Sequence, residues 1–409
     1  MATADVEIAQ LTASEQIDQL EKRYVLQNYG RYPLALRRGK GVWLFDFDGR
    51  RYLDLISGIG VNALGHAHPR LMRVIREQAG LLIHCSNLYY HEYQGKLAEK
   101  LAKISGLERS FFCNSGTEAM EGAIKMARAH GNGVSSDKFE IVALENSFHG
   151  RTIGALSITG QAKYRADFEP LMPGARFVNA NDIEALEAAV SDKTAAIVLE
   201  GIQGEGGIYP MYADFLRRAR SLADQHNALL VFDAIQCGVG RTGQWFSHQL
   251  VAPDVKPDIM VTAKPLSCGL PLGVVMTNAR AASTIRPGMH GTTFGGGPLA
   301  CRVAVEFLDI MENGLLEHVG RVGEYFRAGL RDLQSKYSFI KEIRGAGLMI
   351  GVQLDRPGKE YVMRGIEEGL LFNCTHDTVL RFLPAYILTE KDVDRALRIL
   401  AKLFRVVKV

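Results

Sequence analysis

The chain has 409 residues, too many for one ordinary hydrophobic core, so two or three domains are expected. Hydrophobic residues make up 47% and charged residues 23%, the balance of a globular protein and not of a disordered or fibrous one. The net charge is only +3, spread along the chain, and the apolar runs fall far short of a bilayer span, so neither nucleic acid nor a membrane is expected as a partner.

The start, Met1-Ala-Thr-Ala-Asp-Val-Glu7, lacks the basic stretch and apolar core of a secretory leader. The six cysteines are scattered, with no Cys-x-x-Cys pair, so a reducing cytosol is expected, without a disulfide framework or zinc module. Thr12 and Glu15 form a capping box ahead of Ile17, Leu20 and Tyr24, which predicts a first helix. From Val42 to Ile56 apolar residues alternate around Asp48-Gly49, which predicts a hairpin. His66-Ala-His68-Pro69 has no companion His, Asp or Glu cluster, so a turn is expected there and no metal site.

From about residue 95, short apolar runs at Phe111–Phe112, Phe139–Leu144, Ala195–Leu199, Leu229–Phe232 and Ile259–Thr262 alternate with helical segments such as Thr117–Ala129 and Ala213–His226. That pattern predicts βαβ units and an α/β fold with a mostly parallel sheet. Its ligand site should lie beyond the carboxyl ends of the strands. A helical stretch at Leu299–Tyr337, strands at Gly347–Leu354 and Val379–Leu383, and a helix capped at Thr389 predict a second, smaller α+β domain, with the N-terminal hairpin packed on it.

Several polar groups fall at the ends of the predicted strands. Ser115-Gly116-Thr117-Glu118 suits a phosphate at a helix N-terminus, and equally a plain N-cap. In Phe148-His149-Gly150-Arg151 the ring can stack on a flat cofactor and the guanidinium can take a carboxylate; taken alone, a surface loop with one core Phe is the expected reading. Glu200 and Glu205 share a glycine-rich loop, where a solvated turn is expected from spacing alone. Asp233 ends an apolar run, with Gln236 just beyond. Gly238-Val-Gly240-Arg-Thr-Gly243 matches a dinucleotide fingerprint, but it starts several residues after the strand and no clear crossover helix follows. Lys264 stands at the mouth of the run Asp258–Ala263, where it reads either as a snorkelling lysine or as an amine able to form a Schiff base. A Schiff-base lysine with an Asp to hold a pyridinium nitrogen is the pair that pyridoxal phosphate chemistry needs. Arg381 lies in the apolar segment Leu380-Arg-Phe-Leu-Pro384, suited to holding a carboxylate or to a structural ion pair.

The ordered set Gly65-His66…Pro69, Ser115-Gly-Thr-Glu118, Phe148-His-Gly-Arg151, Gln203-Gly-Glu-Gly206, Asp233…Gln236, Gly238…Arg241-Thr-Gly243, Lys264 and Thr292-Thr-Phe-Gly-Gly296 resembles the class III, pyridoxal-phosphate-dependent aminotransferases, nearest to those acting on acetylornithine. It runs from about Tyr29 to Phe404. The resemblance implies fold type I, with a large cofactor-binding domain over residues 61–299 and a small domain formed by 1–60 and 300–409. It implies that Lys264 holds the cofactor and shuttles the proton, that Asp233 pairs with the ring nitrogen, and that Gln236 contacts the phenolic oxygen. Gly116 and Thr117 would bind the phosphate, joined by Thr293 from a second copy in a homodimer; Phe148 would stack on the ring, and Ser115 and His149 would also belong to the cofactor-binding set. Arg151 would take the donor's α-carboxylate, Arg381 that of glutamate or 2-oxoglutarate, and Glu205 would shield Arg381.

Ornithine aminotransferases place a tyrosine in the segment that here reads Ser57-Gly-Ile59-Gly-Val61. Ile59 leaves no hydroxyl for a free α-amino group, which favours N-acetylornithine or a related acylated donor from arginine or lysine synthesis. Transamination of 4-aminobutyrate or ornithine, a semialdehyde amino shift, and an NAD-dependent dehydrogenase remain as alternatives. Ala234, Gly201, Ser267-Cys268 and Gly297 depart from the family's usual acidic residue, proline, glycine pair and asparagine.

Overall fold

The computed structural model describes residues 12–407. The start whose composition was read for a secretory leader, Met1–Glu7, lies outside them. Seven strands form the main sheet, in the order Arg109–Cys113, Gly273–Thr277, Ile259–Thr262, Leu229–Asp233, Thr194–Glu200, Glu140–Leu144, Ala175–Val178. The strand Gly273–Thr277 runs antiparallel to both neighbours, and the pairings on the other side of Ile259–Thr262 are parallel. Every residue of Thr194–Glu200 and Leu229–Asp233 is buried, which fits strands covered on both faces. Register brings the chemistry together: Asp233 pairs with Glu200 on one side and with Val261, just before Lys264, on the other. The strands Ala175–Val178 and Gly273–Thr277 were not expected, the latter because it follows a Gly/Pro-rich loop directly.

The capping box at Thr12 and Glu15 is present and starts the helix Ala13–Tyr24. The hairpin forms from Trp43–Asp46 and Arg51–Asp54, with a further strand, Leu36–Lys40, on its outer edge. Leu370–Leu371 pairs in parallel with this hairpin, so the N-terminal strands meet a C-terminal segment of the chain. A separate antiparallel sheet runs Ile340–Ala346, Met349–Leu354, Val379–Phe382, Asn373–Thr375. The predicted stretch Leu299–Tyr337 is not one helix. It divides into Pro298–Ile310 and Leu316–Gln334, because Asn313 and Gly314 leave the helical region between them. The last helix, Glu390–Val406, starts at Thr389 with a second capping box, made with Asp392. Among the described residues no helix is long and apolar enough to cross a membrane.

Candidate active site

The carboxyl ends of the parallel strands open into a cavity of about 410 Å³. Ser115, Gly116 and Thr117 line it from one loop, and Phe148, His149 and Arg151 from the next. Glu200, Glu205, Asp233, Gln236 and Lys264 complete the polar wall. Ten of the thirteen residues singled out from sequence therefore meet in one place, if Glu200 is set aside; Arg381, Ile59 and Thr293 do not line the wall.

Lys264 opens the single turn Lys264–Ser267 that follows the strand Ile259–Thr262. Its amine has neither a hydrogen bond nor an ion pair among the described residues. Burial pushes it below the ordinary lysine value; Glu205 pulls the other way, and Arg381 adds to the depression. A half-buried amine whose value is lowered gives up its proton more readily, which suits a nucleophile.

Asp233 is 4% exposed and accepts from the Ile235 amide at 3.0 Å through Oδ1. Its Oδ2 meets His149 Nδ1 at 2.8 Å. Burial alone disfavours a charged His149, but the Asp233 bond, with the charges of Asp233 and Glu200, outweighs it and raises the imidazole's value. His149 Nε2 is buried with no partner, and such groups call for an explanation.

Glu200 is buried, not in the solvated turn that spacing suggested. Its oxygens accept from the amides of Phe148 at 3.2 Å and Gly204 at 3.1 Å. Burial pushes its carboxyl up to about 7, against the pull of His149. Because the folded value lies above the unfolded one, protonated Glu200 stabilises the fold below the ordinary carboxylate range, and that contribution is lost as pH rises through about 7. Glu200→Gln is thus expected to flatten the pH dependence of stability between pH ~5 and ~8 in denaturant titrations. An unchanged slope would show that Glu200 does not titrate there.

Thr117 ties the N-terminus of the helix Gly116–Asn132 to the neighbouring loop. Its Oγ1 accepts from the amides of Arg151 at 3.3 Å and Thr152 at 3.4 Å. The helix N-terminus and its free amides suit a phosphate. Ser115 is also the helix N-cap, accepting from the Glu118 amide at 3.3 Å, so the plain N-cap reading of that segment is met. Phe148 meets Tyr164 edge to face at 6.0 Å, and the exposed guanidinium of Arg151 lies 4.0 Å over the Tyr164 ring. Among the described residues Arg151 has no carboxylate partner.

Arg381, 1% exposed on the strand Val379–Phe382, sits behind the wall. Its Nη1 donates to Glu205 Oε1 at 2.5 Å and to Gln236 Oε1 at 3.2 Å, and its Nε donates to Asn373 Oδ1 at 3.1 Å. Burial raises the Glu205 carboxyl, but Arg381 overrides it and holds the group below its ordinary value. Ile59 is 40% exposed on the turn Ser57–Gly60, beside the wall residue Val61. Thr293 is exposed, next to Thr292, whose hydroxyl accepts from the wall residue Asn114 at 3.1 Å.

Sequence reasoning missed the wall residues Val61, Asn114, Ile235 and Leu270-Pro271-Leu272. Asn114 alone left a signal, standing between a strand and Ser115. His66 forms an isolated β-bridge with Gly41 rather than a turn, and its Nε2 meets Asp54 Oδ2 at 2.8 Å. Of the departures, Gly201 has a clear cause: a Cβ there would lie 2.2 Å from Ser247 Oγ, so the usual proline does not fit.

The residues present fit pyridoxal 5'-phosphate. An unpartnered lysine, a carboxylate at a strand end, an orphaned imidazole nitrogen and a helix N-terminus converge on one cavity. The aminotransferase class-III family matches residues 24–404. An acetylornithine aminotransferase of Methanocaldococcus jannaschii is 48% identical over 391 residues, 95% of this chain and 98% of the relative. Among solved structures, the ornithine aminotransferase of Toxoplasma gondii ME49 superposes with a TM-score of 0.92 at 34% identity, covering 98% of this chain and 97% of that one. The acetylornithine aminotransferase of Elizabethkingia anophelis superposes with a TM-score of 0.85 at 31% identity, covering 97% and 100%.

Proposed function

The chain belongs to the class-III aminotransferases, and on that premise we propose that it moves the distal amino group of N-acetylornithine, or a related N-acylated basic amino acid, to 2-oxoglutarate. The products are the semialdehyde and glutamate, which suits a step of arginine or lysine synthesis. The enzyme uses pyridoxal 5'-phosphate, which when bound supplies an electron-poor ring that takes up the electron pair left when a proton leaves the amino-bearing carbon.

We assign the roles as follows. Lys264 Nζ would hold the cofactor and would move the proton during the reaction. Asp233, kept in place by His149, would face the ring nitrogen, and Gln236 would face the phenolic oxygen. Gly116 and Thr117, with Ser115 beside them, would take the phosphate. Phe148 would stack on the ring, with His149 also in the cofactor-binding set. The bond of His149 to Asp233 accounts for the imidazole's high value, and a ring beside it would cover the orphaned Nε2.

One observation carries the donor reading: of the two arginines at this site, Arg151 is open and Arg381 is masked by Glu205 at 2.5 Å. A donor whose α-carboxylate lies on Arg151 is left with its distal amine to reach Lys264. Ile59 offers no hydrogen bond to a free α-amine, which favours an acylated one. Turning Glu205 aside frees Arg381 for the α-carboxylate of 2-oxoglutarate.

We read residues 61–299 as the cofactor-binding domain, and 1–60 with 300–409 as a second one, in keeping with the separate sheets. A homodimer is supported by the apolar surface around Thr293. Leu81, Ile83, Leu88, Tyr89 and Phe294 are all more than half exposed, and the His84 and Phe294 rings lie 5.6 Å apart. A patch of that kind calls for a cover.

The test is the visible spectrum of the holoenzyme before and after N-acetylornithine alone. The cofactor's visible band is expected to bleach, and to return with 2-oxoglutarate as glutamate forms. Bleaching by ornithine or 4-aminobutyrate but not by N-acetylornithine would overturn the donor. A protein that stays colourless in excess pyridoxal 5'-phosphate would overturn the role of Lys264.

A further inference from the structure

We propose that Arg241 is a positioning residue for substrate recognition, gripping both the turn that carries Ile59 and the end of the strand that carries Arg381. The inference rests on the roles given above to Ile59 and Arg381.

Arg241 lies in the glycine-rich loop Gly238–Gly243, and its side chain is wholly buried with no acidic partner among the described residues. Its charge faces backbone oxygens instead. Nη2 donates to Gly60 O at 3.3 Å, while Nη1 donates to Leu348 O at 3.2 Å and to Pro384 O. The guanidinium also lies 4.4 Å over the Tyr386 ring. Gly60 directly follows Ile59, and Pro384 lies just past the strand Val379–Phe382. One planar fork therefore holds backbone from both recognition segments, a geometry that Lys cannot copy.

The Ile59 turn needs holding. Ser57, Gly58, Ile59 and Gly60 all have positive φ, at 41°, 65°, 62° and 80°. A β-branched residue in that region is an outlier, and it persists only where its surroundings over-determine it. At the near end Asp54 Oδ1 accepts from the Ser57 amide at 2.8 Å, and Ser57 Oγ donates to Leu383 O. At the far end the side-chain grip is Arg241 on Gly60. Lys264, Asp233 and Thr117 make no hydrogen bond to Arg241, so loosening it should disturb recognition before cofactor binding.

The test compares wild type with Arg241→Lys, which keeps the charge but loses the fork, and with Gly60→Ala. The latter leaves Arg241 intact but places a Cβ at φ 80°, 3.6 Å from Nη2. Backbone hydrogen exchange is read first, with no substrate present. The amides of Gly60, Val61 and Asn62, bonded to Ile56 O and Ser57 O, are expected to exchange about tenfold faster in both variants, with Leu229–Asp233 unchanged. The ratio of kcat/KM for N-acetylornithine over ornithine is expected to fall about tenfold, and KM for 2-oxoglutarate to rise more than kcat falls. If Arg241→Lys does not fold, Gly60→Ala decides by the same readouts. Unchanged exchange overturns the grip. Faster exchange with an unchanged donor ratio overturns the recognition role and leaves a structural one. A wild type that uses neither donor sinks the donor reading alone, and the exchange comparison still decides the grip.

Discussion

Lys264→Ala is expected to fold, to take up pyridoxal 5'-phosphate and to transfer no amino group. The expectation of folding comes from what the amine does not do. It makes no hydrogen bond or ion pair among the described residues, so its loss orphans no buried group, and a stability change within about 1 kcal/mol follows. The cofactor's other contacts assigned here, at Asp233, Thr117 and Phe148, stay in place. The chemistry needs an amine that can give up its proton, and burial lowers the value of Lys264 in that direction. A positioned acid–base group alone is worth 10²–10⁴ in rate, and here the same nitrogen also holds the cofactor, so a loss of at least ~10⁴-fold is expected. Circular dichroism and a thermal melt check the fold, the visible spectrum checks the cofactor, and glutamate release checks turnover. Turnover within about tenfold of wild type would sink the mechanism.

Much of this site is visible in sequence because its groups sit where charges are rare. Asp233 and Lys264 each terminate an apolar run that becomes a fully buried strand, and register then sets Asp233 between Glu200 and Val261. The helices with capping boxes at Thr12 and Thr389 were readable for a local reason: both partners of each box lie within one turn. What stayed hidden depends on distance or on a change without a local mark. Glu205 and Arg381 are 176 residues apart, so their pairing comes only from the family resemblance and from nothing near either residue. Glu200 read as solvated because glycines surround it, yet those glycines let the chain fold back so that the Gly204 amide reaches its oxygen. The strand Gly273–Thr277 follows a loop of glycines and prolines, whose punctuation masked its start. The break at Asn313-Gly314 was hidden by apolar spacing that resumes on both sides. The glycine fingerprint at Gly238–Gly243 matches only by its letters, as its context already indicates; its strand ends too early, and its arginine points into the protein, onto carbonyl oxygens.

Arg381→Met is expected to separate the two half-reactions. Arg381 in wild type is bound by Glu205 at 2.5 Å and supported by Asn373 and Gln236, so its place is fixed before any substrate arrives. A charge-assisted, forked contact to a carboxylate is worth about 3 kcal/mol, so KM for 2-oxoglutarate should rise ~10²-fold. Bleaching by N-acetylornithine, whose carboxylate is assigned to Arg151, should change far less. The same substitution leaves Glu205 without its cation, and breaking a buried pair from one side costs about 3 kcal/mol. The sign with pH follows from the Glu205 carboxyl, which Arg381 holds below its ordinary value. The pair's contribution is therefore present above the unfolded carboxylate value and lost as pH falls through the depressed folded one. The stability gap between wild type and variant should then narrow as the pH is lowered. Adding Glu205→Gln to Arg381→Met removes the stranded carboxylate, so stability should recover while 2-oxoglutarate use does not. Stopped-flow measurement of each half-reaction, with denaturant titrations, reads all of this. Equal losses in both half-reactions would mean that Arg381 does not distinguish the two substrates, and the 2-oxoglutarate carboxylate would then have to be placed on Arg151.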